Sequence, residues 1–242
     1  GNAFTENTYP TNEQGIYAGI SIRPAIGWRI DAYADFFKFP WLKYLVDAPS
    51  RGTDFLSQVT YTPNRQVEVY TRYRSESKQA NQSGNTTVTN YLVFLPRQNW
   101  RTQFSYKVNT SFTLRARTEI LWFDRSGPNK ENGYLFFTDI LYKPLLKPLS
   151  AGLRLQYFET DGYNSRIYAY ENDVLYSYSI PAFFDKGFRY YLNMNYDLGK
   201  KLSLWLRWAQ TVFDNRASVG SGLDEIPGNR RTEVKLQARW LF

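Results

Sequence analysis

One feature constrains this chain more than any other: a period-two alternation that returns along its length, with charge on one face and apolar side chains on the other. It is clearest at residues 232–242. Val234, Leu236, Ala238, Trp240 and Phe242 fall on one side; Glu233, Lys235, Gln237 and Arg239 fall on the other. Side chains alternate across a pleated strand, so this is a strand with one apolar and one polar face. The same pattern recurs over residues 15–23, 28–36, 66–74, 100–108, 112–122, 151–160, 187–197 and 201–213. Residues 54–62 and 134–143 also read as strands, the second with no readable phase. No helical period persists, and the class is all-β.

Strand length and turn spacing narrow the class. The strands run to about nine to thirteen residues, enough to cross a hydrocarbon slab at a tilt. Short turns at 24–27, 63–65, 109–110, 144–148 and 198–200 alternate with longer segments at 40–52, 75–98, 125–133 and 214–229. Residues 91–95 read as a short strand or a folded part of their loop, and 165–170 and 174–180 as two short strands. Soluble sandwiches have shorter strands, and their connections do not sort by length. Short turns at one end and long loops at the other are the outer-membrane pattern, with the long loops outside. An open edge cannot face lipid, so closure is required.

The expectation is an antiparallel up-and-down transmembrane β-barrel over residues 15–242, in the bacterial outer membrane, with residues 1–14 as an extracellular arm or loop. About 12–14 strands are visible; counting about thirteen puts the first strand's start outside, whereas bacterial barrels usually have even counts. Either one strand is split or missed, with residues 174–180 the first to question, or upstream strands are missing; the second is favoured, which makes the chain a C-terminal part of a larger barrel. Trp240 and the terminal Phe242 resemble the signal by which such barrels engage the barrel-assembly machinery.

Composition agrees. Aromatic residues make up 18% of the 242, with twenty Tyr, seventeen Phe and seven Trp. Leu, Ile and Val are modest for a soluble core of that size. Excess Tyr and Trp suit two water–hydrocarbon boundaries, where an apolar ring and a polar tip are both satisfied. Mean hydropathy is negative, and no apolar run is long enough for a membrane helix. Cysteine and histidine are both absent, which removes disulfides, thiolate metal sites and the commonest general base. The net charge of +8 suits nucleic acid, an anionic surface or a basic pore.

Several stretches resemble a known family: Tyr33-Ala34-Asp35, Phe39-Pro40-Trp41-Leu42-Lys43-Tyr44, the run from Arg72 to Lys78, and the run from Tyr168 to Tyr176. They resemble outer-membrane β-barrel proteins that can carry a competence-type helix-hairpin-helix domain at the N-terminus. The resemblance covers most of the chain and implies the barrel. The helix-hairpin-helix element, a DNA-backbone binder, is not among these residues, so a DNA role is implied by that other part alone.

The polar strand faces carry Arg23, Arg29, Arg72, Arg74, Arg101, Lys107, Arg115, Arg117, Arg154, Arg189, Arg207, Lys235 and Arg239, with fewer acids: Asp31, Asp35, Glu68, Glu119, Asp197 and Glu233. On the lipid side a basic residue costs about 2–4 kcal/mol at midplane, so these faces point into the lumen. A basic interior favours anions. The plainer reading is that the arginines pair with the acids and tyrosine hydroxyls to fill the barrel. The pore reading rests on Arg115 and Arg117 with Arg72 and Arg74, taken as two neighbouring basic rows. Pairing with Glu119 and Glu68 is the structural alternative for them.

An enzyme is not expected without histidine. Gly220-Ser221-Gly222 lacks a nucleophile-elbow context. Asp224-Glu225 is a pair of acids of the kind usually just solvated; neither a metal nor a cofactor is expected. Asn81-Gln82-Ser83 and Asn85-Thr86-Thr87 fit a glycan pattern that means little in bacteria. Basic and aromatic residues separate onto opposite faces, which favours membrane over nucleic acid. The main functional expectation is a channel or translocation component. The rival is a non-conducting scaffold that docks lipoproteins or other outer-membrane subunits through its long loops, with Trp41, Tyr44, Tyr91 and Phe94 as contact candidates.

Overall fold

The computed structural model describes residues 12–85 and 87–242, so nearly all of the expected arm at 1–14 lies outside the described residues. Eleven long strands form one antiparallel sheet, each bonded to its neighbour in chain order. They are β1 (Gln14–Ile22), β2 (Trp28–Phe39), β3 (Ser50–Tyr61), β4 (Val67–Asn81), β5 (Leu92–Lys107), β6 (Phe112–Phe123), β7 (Glu131–Tyr142), β8 (Leu149–Thr160), and, after two short strands β9 (Ile167–Tyr168) and β10 (Ala182–Phe183), β11 (Lys186–Leu198) and β12 (Leu202–Phe213). Another short pair, β13 (Ser218–Val219) and β14 (Ile226–Pro227), precedes the last long strand, β15 (Arg230–Trp240). Among the described residues, no helix is long and apolar enough to cross a membrane.

The short turns all sit at one end of the sheet, and two use the same device. The Asn64 side-chain oxygen accepts from the Gln66 and Val67 amides at 2.8 and 2.9 Å. Asn109 does the same with Ser111 and Phe112, both at 2.8 Å. An Asn that mimics a backbone turn reverses the chain in few residues. In the β1–β2 turn, Gly27 adopts a φ of +80°, and a Cβ there would lie 2.8 Å from the Thr62 carbonyl oxygen.

The alternation predicts the faces correctly. In β12, Leu204, Leu206 and Trp208 are exposed, while Ser203, Arg207, Ala209 and Thr211 are buried. Leu114, Leu155, Leu204 and Leu236, which a soluble fold would pack together, are 37%, 57%, 39% and 77% exposed. They lie on the outer face of four different strands. Aromatic rings band that face at both ends. Trp28 stacks on Tyr61 at 4.5 Å and Phe112 on Tyr142 at 4.8 Å near the short turns. Phe36 meets Phe55 at 5.4 Å, and Tyr157 meets Phe188 at 5.0 Å, toward the long loops. Trp28 and Phe36 are eight residues apart on β2, about 26 Å along the strand before tilt, the scale of an outer-membrane barrel's apolar band.

Two long segments depart from expectation. Residues 75–98 are mostly strand: β4 runs on to Asn81 and pairs with β5 from Leu92, Gln79 opposite Phe94 and Lys78 opposite Leu95. The described residues outside the strands here are 82–85 and 87–91. Polar residues on both faces here hide the period, because this part of the ladder stands beyond the apolar band. Phe94 is therefore a strand residue, not a loop residue. The short strands expected at 165–170 and 174–180 are not wall strands either. Ile167–Tyr168 pairs with Ala182–Phe183, and Glu171 bridges Ser179.

That whole segment, residues 161–185, folds back over the inner face. Ile167, Ala169 and Phe183 bury against Leu121, Phe123, Leu135, Phe137 and Phe158. The segment also reaches Arg97 on β5 and Lys235 on β15, six strands apart in the sheet. A flat sheet would separate those strands by about 29 Å; a single inner-face pocket is lined from Lys107 of β5 round to Trp205 of β12, so the sheet curls around the loop. Among the described residues, β1 and β15 each have one bonded neighbour, and β1 is exposed on both faces. In hydrocarbon such edges must be closed by further pairing.

Candidate functional site

The inner face carries four groups of paired charges, three of them held by strand register. On β3 and β4, Arg74 grips Asp54 with Nε at 2.9 Å and Nη2 at 2.6 Å, and Tyr33 donates to the same carboxylate at 3.0 Å. On β5 and β6, Arg101 clamps Glu119 through both branches at 2.7 and 2.8 Å, and Asn99 adds a bond at 2.8 Å. On β7 and β8, Arg154 clamps Asp139 at 2.6 and 2.8 Å, with its guanidinium 3.7 Å from the Phe137 ring centroid. Bidentate Arg–carboxylate pairs are geometrically specific as well as strong.

The fourth group is built on the inward loop. Glu171 is fully buried and accepts from Arg189 of β11 at 2.7 and 2.9 Å and from Arg207 of β12. Asp173, two residues on, meets Arg207 at 2.9 Å and Lys235 of β15 at 2.6 Å. Arg154 donates to the Tyr170 carbonyl at 2.7 Å, and Arg97 to the Arg166 carbonyl. Three basic strands thus converge on two loop carboxylates. Loss of either carboxylate would leave buried positive charge uncompensated, at about 3–5 kcal/mol.

The candidate basic residues sort into paired and surplus. Arg74, Arg101 and Arg207 are held by acids as above, and Arg115 approaches Asp139 at 3.8 Å. Arg117 takes the Gln103 side-chain oxygen at 3.0 and 2.8 Å. Arg239 reaches Ser203 at 3.4 Å. Arg72 faces Arg101 across the ladder, and its Nε is buried with no hydrogen-bond partner among the described residues. Among the described residues, Arg72, Arg97 and Arg117 have no carboxylate partner. Arg72, Arg74, Arg97 and Arg101 line a pocket of about 200 Å³ with Glu76, Glu119 and the loop's Tyr168.

Three expectations need correction. The rows holding Arg72/Arg74 and Arg115/Arg117 are not neighbours: β5 lies between β4 and β6. Glu119 serves Arg101, not Arg115 or Arg117. Glu68 sits exposed at the start of β4, and Arg74 is held by Asp54. Of the other acids, Asp31 accepts from Ser21 at 2.7 Å and Arg29 at 2.9 Å, and Asp35 lies opposite Asp54 in the ladder.

Sequence reasoning missed Arg97, Asp54, Asp139, Glu171 and Asp173 as lumen groups. Asp139 was hidden because Phe136, Phe137, Ile140 and Leu141 make its strand apolar on both parities. The lone acid was itself the signal of phase, since it cannot face lipid. Glu171 and Asp173 gave no periodic signal at all.

At the long-loop end, Trp41, Tyr44 and Tyr91 are exposed. Asp47 accepts from the Asn90 side chain at 2.7 Å and backbone at 3.3 Å, and its amide donates to Asn81 at 3.0 Å, clasping the two loops. At the other end Trp240 and Phe242 are exposed.

No protein-family model matches the chain, and no curated protein matches it. Among solved structures it is similar to one titled copper transporter OprC, at 12% identity and a TM-score of 0.50, over 94% of this chain and 41% of that one. The chain therefore spans less than half the length of that neighbour. At this identity the likeness is one of fold, and with the two-faced sheet it makes the chain an all-β barrel wall of the outer-membrane kind.

Proposed function

We propose that the chain forms part of an outer-membrane channel or transport barrel whose lumen prefers anions. The observation that supports this reading is the surplus of inward guanidinium groups: Arg72, Arg97 and Arg117 face the lumen with no carboxylate partner among the described residues. A fixed positive field in a narrow, low-dielectric space raises the local concentration of anions. The inward loop narrows the passage beside these side chains. OprC is titled a copper transporter, but this chain has no His, no Cys and one Met, so it carries a single side chain of the sulfur and imidazole types that suit copper. The cargo is better matched to small anions. The kinship with barrels that can carry a helix-hairpin-helix domain belongs to this proposal as well; the fold likeness supports the barrel part.

The test is current through the full chain reconstituted in a planar bilayer, with reversal potentials in a chloride gradient. Wild type should favour chloride. Replacing Arg72 and Arg117 together by Gln should shift the reversal potential toward cations. An unchanged preference removes the arginine mechanism, and absence of current removes the channel.

A second reading has its own observation. Trp41, Leu42, Tyr44 and Leu45 form an exposed apolar stretch in the 40–49 loop, of the kind that contacts partners. A non-conducting scaffold docking other outer-membrane subunits or lipoproteins would use it. Such a barrel would carry no current and would lose its partner when Trp41 and Tyr44 are replaced by Ser.

A further inference from the structure

The outer face of β1–β3 holds two cations where the ladder should disfavour them. Lys38 of β2 and Arg51 of β3 are directly opposite each other, and Gln14 of β1 completes the row. Like charges directly opposite are destabilising. Neither has a carboxylate partner among the described residues. Both are exposed on the face that carries Phe36 and Phe55. The next row toward the membrane is Ile16, Phe36 and Thr53. Together these rows line a pocket of about 710 Å³, walled on its far side by Phe94 of β5. The Arg51 guanidinium stands 5.7 Å from the Phe94 ring centroid.

Position along the strand gives these charges a meaning. Phe36 and Phe55 belong to the aromatic band at the long-loop end, and such bands mark the water–hydrocarbon boundary. Lys38 is two residues beyond Phe36, about 7 Å further out. That is headgroup depth. A polar basic row above an apolar ledge matches an amphiphile with an anionic head and acyl chains. With the long loops outside, the leaflet at this end is the outer one.

We propose that Lys38 and Arg51 bind the phosphate groups of a phosphorylated outer-leaflet glycolipid, with its acyl chains lying on Ile16, Phe36 and Phe94. The bound phosphate supplies the counter-charge that the ladder lacks. This site rests on the outer-membrane reading but not on conduction through the lumen, since it lies on the opposite face of the sheet.

The test uses the full chain in phosphatidylcholine nanodiscs, titrated with diphosphoryl lipid A, with the same lipid after enzymatic removal of its phosphates, and with inorganic phosphate. Retained lipid is read by native mass spectrometry, and insertion is read separately by vesicle flotation. Wild type should retain lipid A in preference to the dephosphorylated form. The Lys38→Gln/Arg51→Gln double variant should lose retention roughly ten- to thirtyfold, at about 1 kcal/mol per basic residue near an anionic surface, with flotation and chloride preference unchanged. Equal retention by the double variant, or equal retention of the dephosphorylated lipid, overturns the proposal. Tight binding of inorganic phosphate alone overturns the lipid assignment in favour of a free-anion site. A chain that does not float overturns the membrane reading itself, and the lipid site with it.

Discussion

Glu171 sets one carboxylate between two guanidiniums, those of Arg189 and Arg207, with all three side chains buried. Replacing it by Gln keeps the shape and removes the charge. Arg207 then keeps Asp173 at 2.9 Å, shared with Lys235, while Arg189 is left buried with Glu233 at 3.5 Å, at a cost of about 3–5 kcal/mol. The expected outcome is loss of amide-exchange protection across residues 165–179 while the long strands stay protected. Asp47 makes the opposite case at the surface. Hydrogen bonds from the Asn90 side chain, then from Asn81 and the Asn90 backbone, hold its carboxyl below the usual carboxylate range. A depressed folded-state value means that the contribution is complete above the unfolded value of about 3.9 and is lost as pH falls through the lower one. The Asn90 resonance should therefore stay in its clasped position through mild acid and move in strong acid. In Asp47→Asn it should not titrate.

At the scale of the element, the strands obey one rule with two consequences. Leu206→Arg on the outer face of β12 should destabilise insertion into lipid vesicles by about 2–4 kcal/mol, whereas Asn195→Arg, which lines a polar pocket on the inner side, should change it little. Unfolding in urea from preformed vesicles measures both. The rule also explains what the sequence made readable. β12 and β15 alternate cleanly because each separates lipid from lumen, so Leu204 and Arg207, or Leu236 and Lys235, declare their sides. β7 does not, because its inner side is an apolar cushion for the loop, with Leu135 and Phe137 buried against Ile167 and its neighbours. The upper half of β4 does not either, since Glu76, Lys78 and Gln79 stand above the apolar band and both faces meet polar surroundings. The loop's acids could not be read from a period, because their position comes from tertiary contact. Replacing residues 165–181 by a short Gly-Ser linker should raise single-channel conductance; no change would mean the loop does not narrow the passage.

For the molecule as a whole, the outer apolar face, the two aromatic bands and the charged inner face follow from a single partition between lipid and an enclosed aqueous space. The edges of β1 and β15, unpaired among the described residues, belong to the same logic, since they demand closure in hydrocarbon. The absence of cysteine from the sequence makes the partition directly measurable. Single cysteines placed along residues 202–209 of β12 and carrying a nitroxide would be probed in vesicles with oxygen, which concentrates in lipid, and with a water-soluble nickel chelate. Positions 204, 206 and 208 should respond to oxygen and positions 203 and 205 to the chelate, while position 207, buried against the inward loop, should respond to neither. A flat profile, or positions 204 and 206 shielded from both probes as in a packed soluble core, would contradict the assignment of faces.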